Sequence, residues 1–257
     1  MKRIAVITGA SSGIGREFVL SLKNHGDYDE VWTIARNKGN LTNLQPIVPF
    51  TIKPLSLDLT DPQSFAVYEE ALRKEKPEIA LLINASGFGI FNSVEDSKME
   101  DLEGMIDLNC KALVKMTKLS LPYMVNGAKI IQIASIAAFQ PIPYMNVYGA
   151  SKSFVLSFSR ALNEEIKRRG IQCMAVCPYW TRTRFFDRAT AGEKNKVVKK
   201  YVVMYEPEQI VERAWKDLEK GRSMSIYGLI AKGQALCTKV LPHDLIMHIW
   251  KKQQQLD

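Results

Sequence analysis

Two kinds of stretch alternate along the chain: short runs made mostly of apolar residues, and longer stretches in which apolar residues recur every three or four positions. The first kind has the length of buried strands, and the second is typical of helices packed on one face. The predicted strands are 3–8, 30–35, 51–57, 79–84, 129–134, 171–176 and, more weakly, 223–228. The predicted helices include 15–24, 62–74, 99–124, 147–169 and 207–220. Continuously apolar strands alternating with helices indicate an α/β fold, a doubly wound and mostly parallel sheet with helices on both faces.

No linker rich in proline, glycine or serine divides the chain, and no internal repeat is present. Helix signals agree with the predicted boundaries, since Pro62 and Pro207 each follow an acidic residue at a helix start. A chain of 257 residues with 46% hydrophobic content is large enough to bury one substantial core. We therefore expect residues 1–257 to form a single domain, with substrate-side and C-terminal elements at about 180–205 and 229–257.

Basic residues exceed acidic ones, 35 to 27, which gives a formal net charge of +8. The densest basic group has helical spacing and is interrupted by two valines, which is typical of a solvated helix face. It comprises Lys194, Lys196, Lys199 and Lys200. We therefore expect no nucleic-acid partner; binding to nucleic acid or to another anionic surface is an alternative that only the net charge favours.

Cysteine usage and hydropathy bear on where the protein works. The four cysteines have no neighbours at zinc-ligand spacing, so we expect reduced thiols, no metal site and a cytoplasmic location. Residues 130–151 carry no charge, but Pro141 and Pro143 interrupt them, so they are not predicted to span a membrane. The glycines near the start of the chain likewise argue against a signal peptide.

The first predicted strand runs directly into the sequence TGASSGIG at 8–15, which opens the first predicted helix. Such a turn lets the backbone approach a pyrophosphate group at a helix N-terminus, where free N–H groups and the helix dipole favour anions. Glycines also make ordinary turns, so the position between a strand and a helix is what points to a bound dinucleotide.

The end of the second predicted strand bears on which dinucleotide binds. An acidic residue at this position would bond the 2′-hydroxyl of the adenosine ribose, whereas the chain has Ala35 followed by Arg36. A guanidinium is suited to a phosphate group, so the sequence favours NADP(H) over NAD(H). The alternative is that Arg36 is merely solvated at a strand end.

Four polar residues form a second constellation. Tyr148 and Lys152 are four residues apart at the start of a predicted helix, so their side chains project from one face. Ser135 ends the fifth predicted strand, whose carboxyl end opens towards the ligand crevice of a parallel sheet. Asn109 lies within an earlier predicted helix. Each residue alone is a weak signal, and their conjunction is what points to a catalytic site.

With these motifs the sequence resembles the short-chain dehydrogenase/reductase family, in its short branch. The resemblance spans nearly the whole chain and weakens after about Lys200. It implies a Rossmann-like fold, a nicotinamide dinucleotide cofactor, and a catalytic tetrad of Asn109, Ser135, Tyr148 and Lys152. The cofactor-binding residues that it implies are Gly9, Ser11, Ser12, Gly13, Ile14, Gly15, Arg36, Asp58, Leu59, Asn84, Ala85, Ser86, Tyr148, Lys152, Pro178, Thr181 and Thr183.

The chain departs from the family pattern at two places. Ala85 and Ser86 replace an Asn and an Ala in a segment whose backbone does most of the binding, so these changes cast little doubt on the assignment. Tyr179 stands where the family has glycine, which adds a large side chain beside the nicotinamide.

The resemblance also implies roles for the tetrad. Tyr148 is the acid/base, and Lys152 lowers its pKa and binds the nicotinamide ribose. Ser135 donates to or orients the substrate carbonyl, and Asn109 positions a water that links Lys152 to solvent. Thr183 holds the carboxamide.

The loops expected around the nicotinamide are rich in aromatic residues. Apolar pockets of this kind suit an apolar carbonyl compound or alcohol, although packing in the core is an equally good interpretation of several of these side chains. The predicted substrate-pocket residues are Phe88, Phe139, Tyr144, Tyr179, Trp180 and Phe185. A weaker resemblance, at Pro178-Tyr179 and at Leu241-Pro242-His243, is to the branch that reduces 3-oxoacyl thioesters and steroids.

The sequence thus predicts an NADP(H)-dependent oxidoreductase that interconverts a carbonyl and an alcohol on a hydrophobic substrate. A non-catalytic NADP(H)-binding regulator on the same fold is the alternative. The family implies a homodimer or homotetramer, paired through the helices at 99–124 and 147–169. For the segment 229–257 the sequence leaves three interpretations open: a cover over the pocket, a subunit contact or a contact with a membrane surface.

Overall fold

Seven parallel strands form one sheet at the centre of the protein. The computed structural model describes residues 1–191 and 197–256. The strands are β1 (Arg3–Thr8), β2 (Glu30–Ala35), β3 (Thr51–Ser56), β4 (Glu78–Asn84), β5 (Met124–Ile133), β6 (Gln172–Val176) and β7 (Met224–Ser225). Their spatial order is β3-β2-β1-β4-β5-β6-β7, which confirms the predicted doubly wound parallel sheet.

Ten α-helices connect the strands within the described residues or follow the last of them. They are α1 (Gly13–Ser21), α2 (Lys38–Thr42), α3 (Pro62–Glu75), α4 (Met99–Ile106), α5 (Leu113–Ser120), α6 (Asn146–Ile166), α7 (Phe185–Ala189), α8 (Pro207–Glu219), α9 (Leu229–Val240) and α10 (His243–Gln254). Short 3₁₀ turns occupy Leu22–Asn24, Gln45–Ile47, Leu121–Tyr123, Ile136–Phe139 and Lys167–Arg169, and a π-helical turn occupies Asp107–Ala112.

The core lies on both faces of the sheet, because alternate residues of each strand point to opposite sides. Ala5 and Ile7 of β1 pack with helices α1 and α8, whereas Ile4 and Val6 pack with α3, α5 and α6. All four side chains are fully buried. Burial on both faces explains why the strands are continuously apolar in sequence.

The strand order reverses at β1, which lies between β2 and β4. Crossover connections therefore leave in opposite directions, and a crevice opens at the carboxyl ends of β1 and β4. Thr8 joins the ends of β1 and β4 at this crevice, since its Oγ1 accepts hydrogen bonds from the backbone N–H groups of Ala85 and Ser86, both at 3.1 Å. The crevice is where ligands bind in folds of this type.

Several predicted elements differ from the structure. The single helix predicted at 99–124 is divided by the π-helical turn and ends at Ser120, and β5 begins at Met124, earlier than predicted. Of the predicted lysine face, Lys194 and Lys196 lie outside the described residues, while Lys199 and Lys200 are exposed but not helical. Val197 and Val198 of this segment are buried and pack in the same apolar cluster as Phe91 and Trp250.

All four cysteines are free. Among residues 1–191 and 197–256, no cluster of His, Cys, Asp or Glu is suited to hold a metal ion. In the same part of the chain, no helix has both the length and the apolar composition that crossing a bilayer requires.

Candidate active site

A cavity of about 1120 Å³ opens at the carboxyl ends of the central strands. The glycine turn follows β1, Arg36 follows β2, Ala85 follows β4, and Ser135 follows β5, and all of them line the cavity. Because the strands are parallel, residues that are far apart in sequence meet at this one edge of the sheet.

The glycine turn presents free backbone groups to the cavity. Helix α1 begins at Gly13, no side chain caps its N-terminus, and its first turn holds no acidic residue. Gly9 has a φ of +67°, and a Cβ there would lie 2.8 Å from backbone atoms of Ala85 and Ser86. Glycine is therefore required for the turn to pack against the end of β4, and the N–H groups of α1 remain available to an anion.

Arg36 and Asp58 lie at the far end of the cavity from Tyr148. Arg36 is exposed, and its carbonyl oxygen accepts a 2.8 Å hydrogen bond from the Ser56 hydroxyl. Burial alone would raise the pKa of Asp58, but hydrogen bonds from the backbone and hydroxyl of Thr60, followed by the positive charges of Arg36 and Arg188, hold it below its ordinary value. The guanidinium of Arg36 thus lies near an ionised carboxylate, and both residues line the cavity.

Ser135, Tyr148 and Lys152 converge at the inner wall of the cavity, and all three side chains are buried. The Ser135 hydroxyl neighbours that of Tyr148, and its oxygen accepts a 3.1 Å hydrogen bond from the N–H of Ala137. The Lys152 ammonium donates a 2.8 Å hydrogen bond to the carbonyl of Ile133 and lies 5.8 Å from the centroid of the Tyr148 ring. Strand β5 positions the serine, and one face of α6 positions the other two residues.

Burial has the largest effect on the pKa values of Tyr148 and Lys152, both on α6. It raises the pKa of Tyr148 to about 12, a shift that the Ser135 hydroxyl partly opposes. It lowers the pKa of Lys152 to about 8, a shift that Cys110 and Cys177 partly oppose. The sequence interpretation expected Lys152 to lower the pKa of Tyr148; in the structure burial has the largest effect on that pKa and the Ser135 hydroxyl opposes it, so Tyr148 carries its proton at neutral pH.

Asn109 lies behind the cavity wall rather than on it. The π-helical turn turns its amide towards the loop after β4, where Oδ1 accepts the N–H of Phe88 at 3.0 Å and Nδ2 donates to the carbonyl of Phe88 at 2.9 Å. Nδ2 also donates to the Ser151 hydroxyl at 3.0 Å. A Cβ on Gly87 would lie 2.9 Å from Oδ1 of Asn109 and 3.3 Å from the Lys152 ammonium, so the loop, Asn109 and Lys152 are tightly packed.

Three further predicted cofactor residues line the cavity after β6: Pro178, Thr181 and Thr183. The carbonyl of Pro178 accepts the N–H of Ile136 at 2.9 Å, which joins this segment to the one that carries Ser135. Thr183 stands beside Gly13, where an added Cβ would lie 3.1 Å from its methyl group. The segment therefore closes over the glycine turn.

Aromatic side chains form the wall opposite the glycine turn. Phe91 is fully buried at their centre, with its ring centroid 6.4 Å from Tyr148, 6.2 Å from Trp180 and 6.1 Å from Phe185. Of the predicted substrate-pocket residues, four line the cavity: Phe88, Tyr179, Trp180 and Phe185.

Besides Asn109, three predicted site residues do not line the cavity. Asn84 is buried in the sheet, where its Nδ2 donates to Gln132 at 2.9 Å and to Thr117 at 3.2 Å. Phe139 packs against the apolar cluster beneath α9. Tyr144 has a φ of +66°, and its side chain packs against the aromatic cluster outside the cavity. The remaining predicted cofactor residues, from Gly9 to Thr183, all line it.

The C-terminal helices α9 and α10 line a further part of the cavity wall. The sequence had left the role of this segment open. Trp250 is buried, and its indole N–H donates a 3.1 Å hydrogen bond to the carbonyl of Pro143. Gln254 is buried too; its Oε1 accepts the N–H groups of Lys199 and Lys200. From α9, Gln234 donates to the buried Gln140 at 3.2 Å. These lining residues belong to no motif, so only their long-range packing identifies them.

Comparison with known proteins identifies the family. The family model described as short chain dehydrogenase matches residues 3–194. Mouse 17-beta-hydroxysteroid dehydrogenase type 3 is 33% identical over 218 residues, which cover 79% of this chain and 70% of that protein. Human very-long-chain 3-oxoacyl-CoA reductase is 30% identical over 190 residues, which cover 70% of this chain and 60% of that protein.

A solved structure agrees with these relatives. The short-chain dehydrogenase from Sphingobium yanoikuyae, in complex with NADPH, superposes with a TM-score of 0.79 at 28% identity, covering 96% of each chain. Sequence and structure therefore agree that this chain belongs to the short-chain dehydrogenase/reductase family of oxidoreductases.

Proposed function

We propose that the protein is an NADP(H)-dependent oxidoreductase that interconverts an apolar ketone or aldehyde and the corresponding alcohol, with Tyr148 as the acid/base. The observation that carries this proposal is the convergence of Ser135, Tyr148 and Lys152 on one cavity that also contains the glycine turn. A proton donor, a charged neighbour and an anion-binding helix end in one enclosed space are what hydride transfer to a carbonyl requires.

The cavity fits a dinucleotide along its length. The uncapped start of α1 suits a pyrophosphate, and Arg36 suits a 2′-phosphate at the ribose end, where Asp58 and Leu59 also lie. Thr183 and Pro178 then border the nicotinamide end. The NADPH complex of the Sphingobium yanoikuyae relative supports the same cofactor. When bound, the dinucleotide supplies or accepts the hydride.

The residues of the chain then handle the proton. Tyr148, protonated at neutral pH because of its burial, donates its proton to the substrate oxygen in the reducing direction. Ser135 lies beside the tyrosine hydroxyl in the cavity, where it donates to or orients the carbonyl of the substrate. Lys152, with a pKa lowered to about 8, supplies a positive charge next to the tyrosine that stabilises the phenolate left after transfer.

Asn109 acts through position rather than contact with the substrate. By bonding both backbone groups of Phe88, it fixes the loop that carries the aromatic wall next to Tyr148. The water that the family places on this asparagine would join Lys152 to solvent, since both side chains flank Gly87.

The substrate that fits the cavity is bulky and mostly apolar. The aromatic residues Phe185, Trp180 and Trp250 line the cavity, and so do the amides of Gln140, Gln234, Gln253 and Gln254. Such a lining suits a large hydrocarbon body with few hydrogen-bonding groups. The steroid and 3-oxoacyl-CoA activities named for the two relatives are of this class.

Assembly into a homodimer or homotetramer is part of the proposal. Phe154 of α6 is 43% exposed and stacks on Phe158, and Ile106 of α4 is also exposed, which leaves apolar side chains on the two helices that we expect to pair. The expected mass in solution, measured by light scattering, is that of two or four chains.

Titration with NADPH and NADH, followed by a panel of ketones read at the nicotinamide absorbance, tests the proposal. We expect preference for NADPH and turnover of bulky apolar ketones. Preference for NADH would contradict the cofactor assignment. Tight NADPH binding without turnover of any ketone or alcohol would instead favour a non-catalytic NADP(H)-binding regulator.

A further inference from the structure

The two C-terminal helices expose a group of large aliphatic side chains, which we call the C-terminal apolar face. On α9, Leu229, Leu236 and Val240 follow one another at helical spacing and form one stripe. Leu229 is 85% exposed and Val240 76%. The remaining members are Ile230, Leu241, Leu245 and Ile249, each at least 37% exposed.

The inner sides of the same helices are already packed. Ala231 and Ala235 of α9 are buried against the core, as are Ile246 and Trp250 of α10. The helices are therefore fixed by their inner faces, and their outer aliphatic side chains are solvent-exposed in the described part of the chain. Aliphatic side chains concentrated on one surface mark a contact with something apolar.

The charges around this face identify the kind of contact. Between residues 229 and 256 the chain holds four lysines and a single acidic residue, Asp244. Lys232 and Lys239 each lie three residues after a leucine of the α9 stripe, so they flank it on the helix surface. Lysines beside an aliphatic stripe complement anionic lipid headgroups above acyl chains. A symmetric contact between two copies would bring the lysines of both into one interface, with a single acidic residue of this segment, Asp244, in each copy to pair with them.

The mouth of the cavity lies in this face. Leu241 and Ile249 are exposed members of the face and also line the cavity, and so does the exposed Cys237. An apolar compound dissolved in acyl chains would therefore reach the cavity without crossing water.

We infer that the C-terminal apolar face docks the protein on the surface of an anionic phospholipid bilayer, with the cavity mouth turned towards the acyl chains. The docking rests on the aliphatic stripe and its flanking lysines and does not depend on the proposed oxidoreductase activity. It is a surface association, in which helices α9 and α10 lie in the headgroup region.

Co-sedimentation of the full chain with sucrose-loaded vesicles tests this inference. One set of vesicles contains phosphatidylcholine alone, and the other contains equal parts of phosphatidylcholine and phosphatidylglycerol. We expect the protein to sediment with the anionic vesicles, with the neutral ones far less, and less as the salt concentration rises. Leu236→Glu with Val240→Glu should abolish binding, because two carboxylates would enter the apolar stripe.

The lysines provide a milder test. Lys232→Gln and Lys239→Gln should each weaken binding to anionic vesicles by about fivefold. Matched controls on α3, Val67→Glu and Lys74→Gln, replace exposed residues outside the face and should leave binding unchanged.

Three results would overturn the docking. The first is that the unchanged protein does not bind anionic vesicles, and the second is that the variants of the face bind them as well as the unchanged protein does. The third is that the Leu236→Glu/Val240→Glu protein has a lower mass in solution without vesicles than the unchanged protein. That result would assign the face to contact between copies of the chain. Circular dichroism of each variant shows whether a loss of vesicle binding comes from misfolding. NADPH titration of each variant shows whether the proposed function holds independently of vesicle binding. If the double variant does not fold, the lysine variants decide.

Discussion

Asn109 and Phe88 are joined by a pair of hydrogen bonds in which the side-chain amide of one residue satisfies both backbone groups of the other. The N–H of Phe88 donates to Oδ1 at 3.0 Å, and Nδ2 donates to the carbonyl of Phe88 at 2.9 Å. Both residues are buried, so water does not replace either bond. The π-helical turn that carries Asn109 thus fixes the loop that packs on Tyr148.

Asn109→Ala should therefore destabilise the protein and reduce its activity. Two buried backbone groups of Phe88 would lose their partners, at a cost of about 1–3 kcal/mol for each group left unsatisfied. Urea unfolding measures the stability loss, and steady-state kinetics measure the activity. Asn92→Ala is the control and should have less effect, because it removes a hydrogen bond to the exposed carbonyl of Asp96 and one from the half-buried N–H of Ser93, neither of them fully buried. Equal effects of the two substitutions would contradict the positioning role of Asn109.

Arg36→Ala should separate the two cofactors. Loss of a charged hydrogen-bond donor to the 2′-phosphate should weaken NADPH binding by about tenfold or more, while NADH, which lacks that phosphate, should bind as before. Fluorescence titration measures both affinities. Lys38→Ala removes the next basic residue along the chain. It should weaken the binding of NADPH and of NADH by less than Arg36→Ala weakens the binding of NADPH. Equal losses for NADPH and NADH on replacing Arg36 would disprove the 2′-phosphate argument.

Lys152→Met should make the protein more stable at neutral pH while it removes activity. The pKa of Lys152 is lowered to about 8 in the folded protein from an ordinary value of 10.5. Between these two values the unfolded chain binds more protons, so the stability of the unchanged protein rises with pH across that window. The buried ammonium therefore costs up to ~3 kcal/mol below pH 8.

The methionine variant lacks this titration. Its free energy of unfolding should exceed that of the unchanged protein by most near pH 7, and the difference should shrink between pH 8 and pH 10.5. Urea unfolding across this range measures the difference, and Lys74→Met on α3 is the exposed control. A difference that does not depend on pH would show that desolvation of the ammonium is not the cause.

Trp250→Ala should destabilise the C-terminal cover of the cavity. The substitution removes a buried indole and its hydrogen bond to Pro143, and large-to-small changes at such sites cost about 3–5 kcal/mol. Trp250→Phe retains most of the packing and should cost only about 1 kcal/mol for the lost bond. Ile249→Ala, at a half-exposed neighbouring position, should cost within about 0.5 kcal/mol. Comparable losses for all three would show that α10 is not anchored through Trp250.

Most of the fold was predictable because the sheet is buried on both faces. Strands such as β1 and β4 are continuously apolar and coincide with the predicted runs to within a residue. The division of the helix at 99–124 was not predictable, because a π-helical turn changes the backbone path while the apolar periodicity of the sequence stays close to that of a continuous helix. β7 is shorter than predicted, since it pairs only with β6 at the edge of the sheet.

The cavity was predictable only where it coincides with the ends of strands. The glycine turn, Arg36 and Ser135 follow directly from strand positions, so the topology brings them together. Tyr144 and Phe139 follow the same strand as Ser135 but turn into neighbouring clusters, because a loop residue's direction depends on packing rather than on sequence distance. Trp250 and Gln254 reach the cavity from the end of the chain, a long-range contact that no local pattern encodes.

The role of Tyr148 as the proton donor is tested most directly by Tyr148→Phe, assayed for both NADPH binding and turnover of a bulky apolar ketone. The ring remains in place and only the hydroxyl is lost, so NADPH binding should be unchanged while turnover falls at least about 100-fold. Tyr144→Phe, which removes the hydroxyl of a tyrosine outside the cavity, should leave turnover intact. Unchanged turnover in the Tyr148→Phe protein would contradict the proposed mechanism.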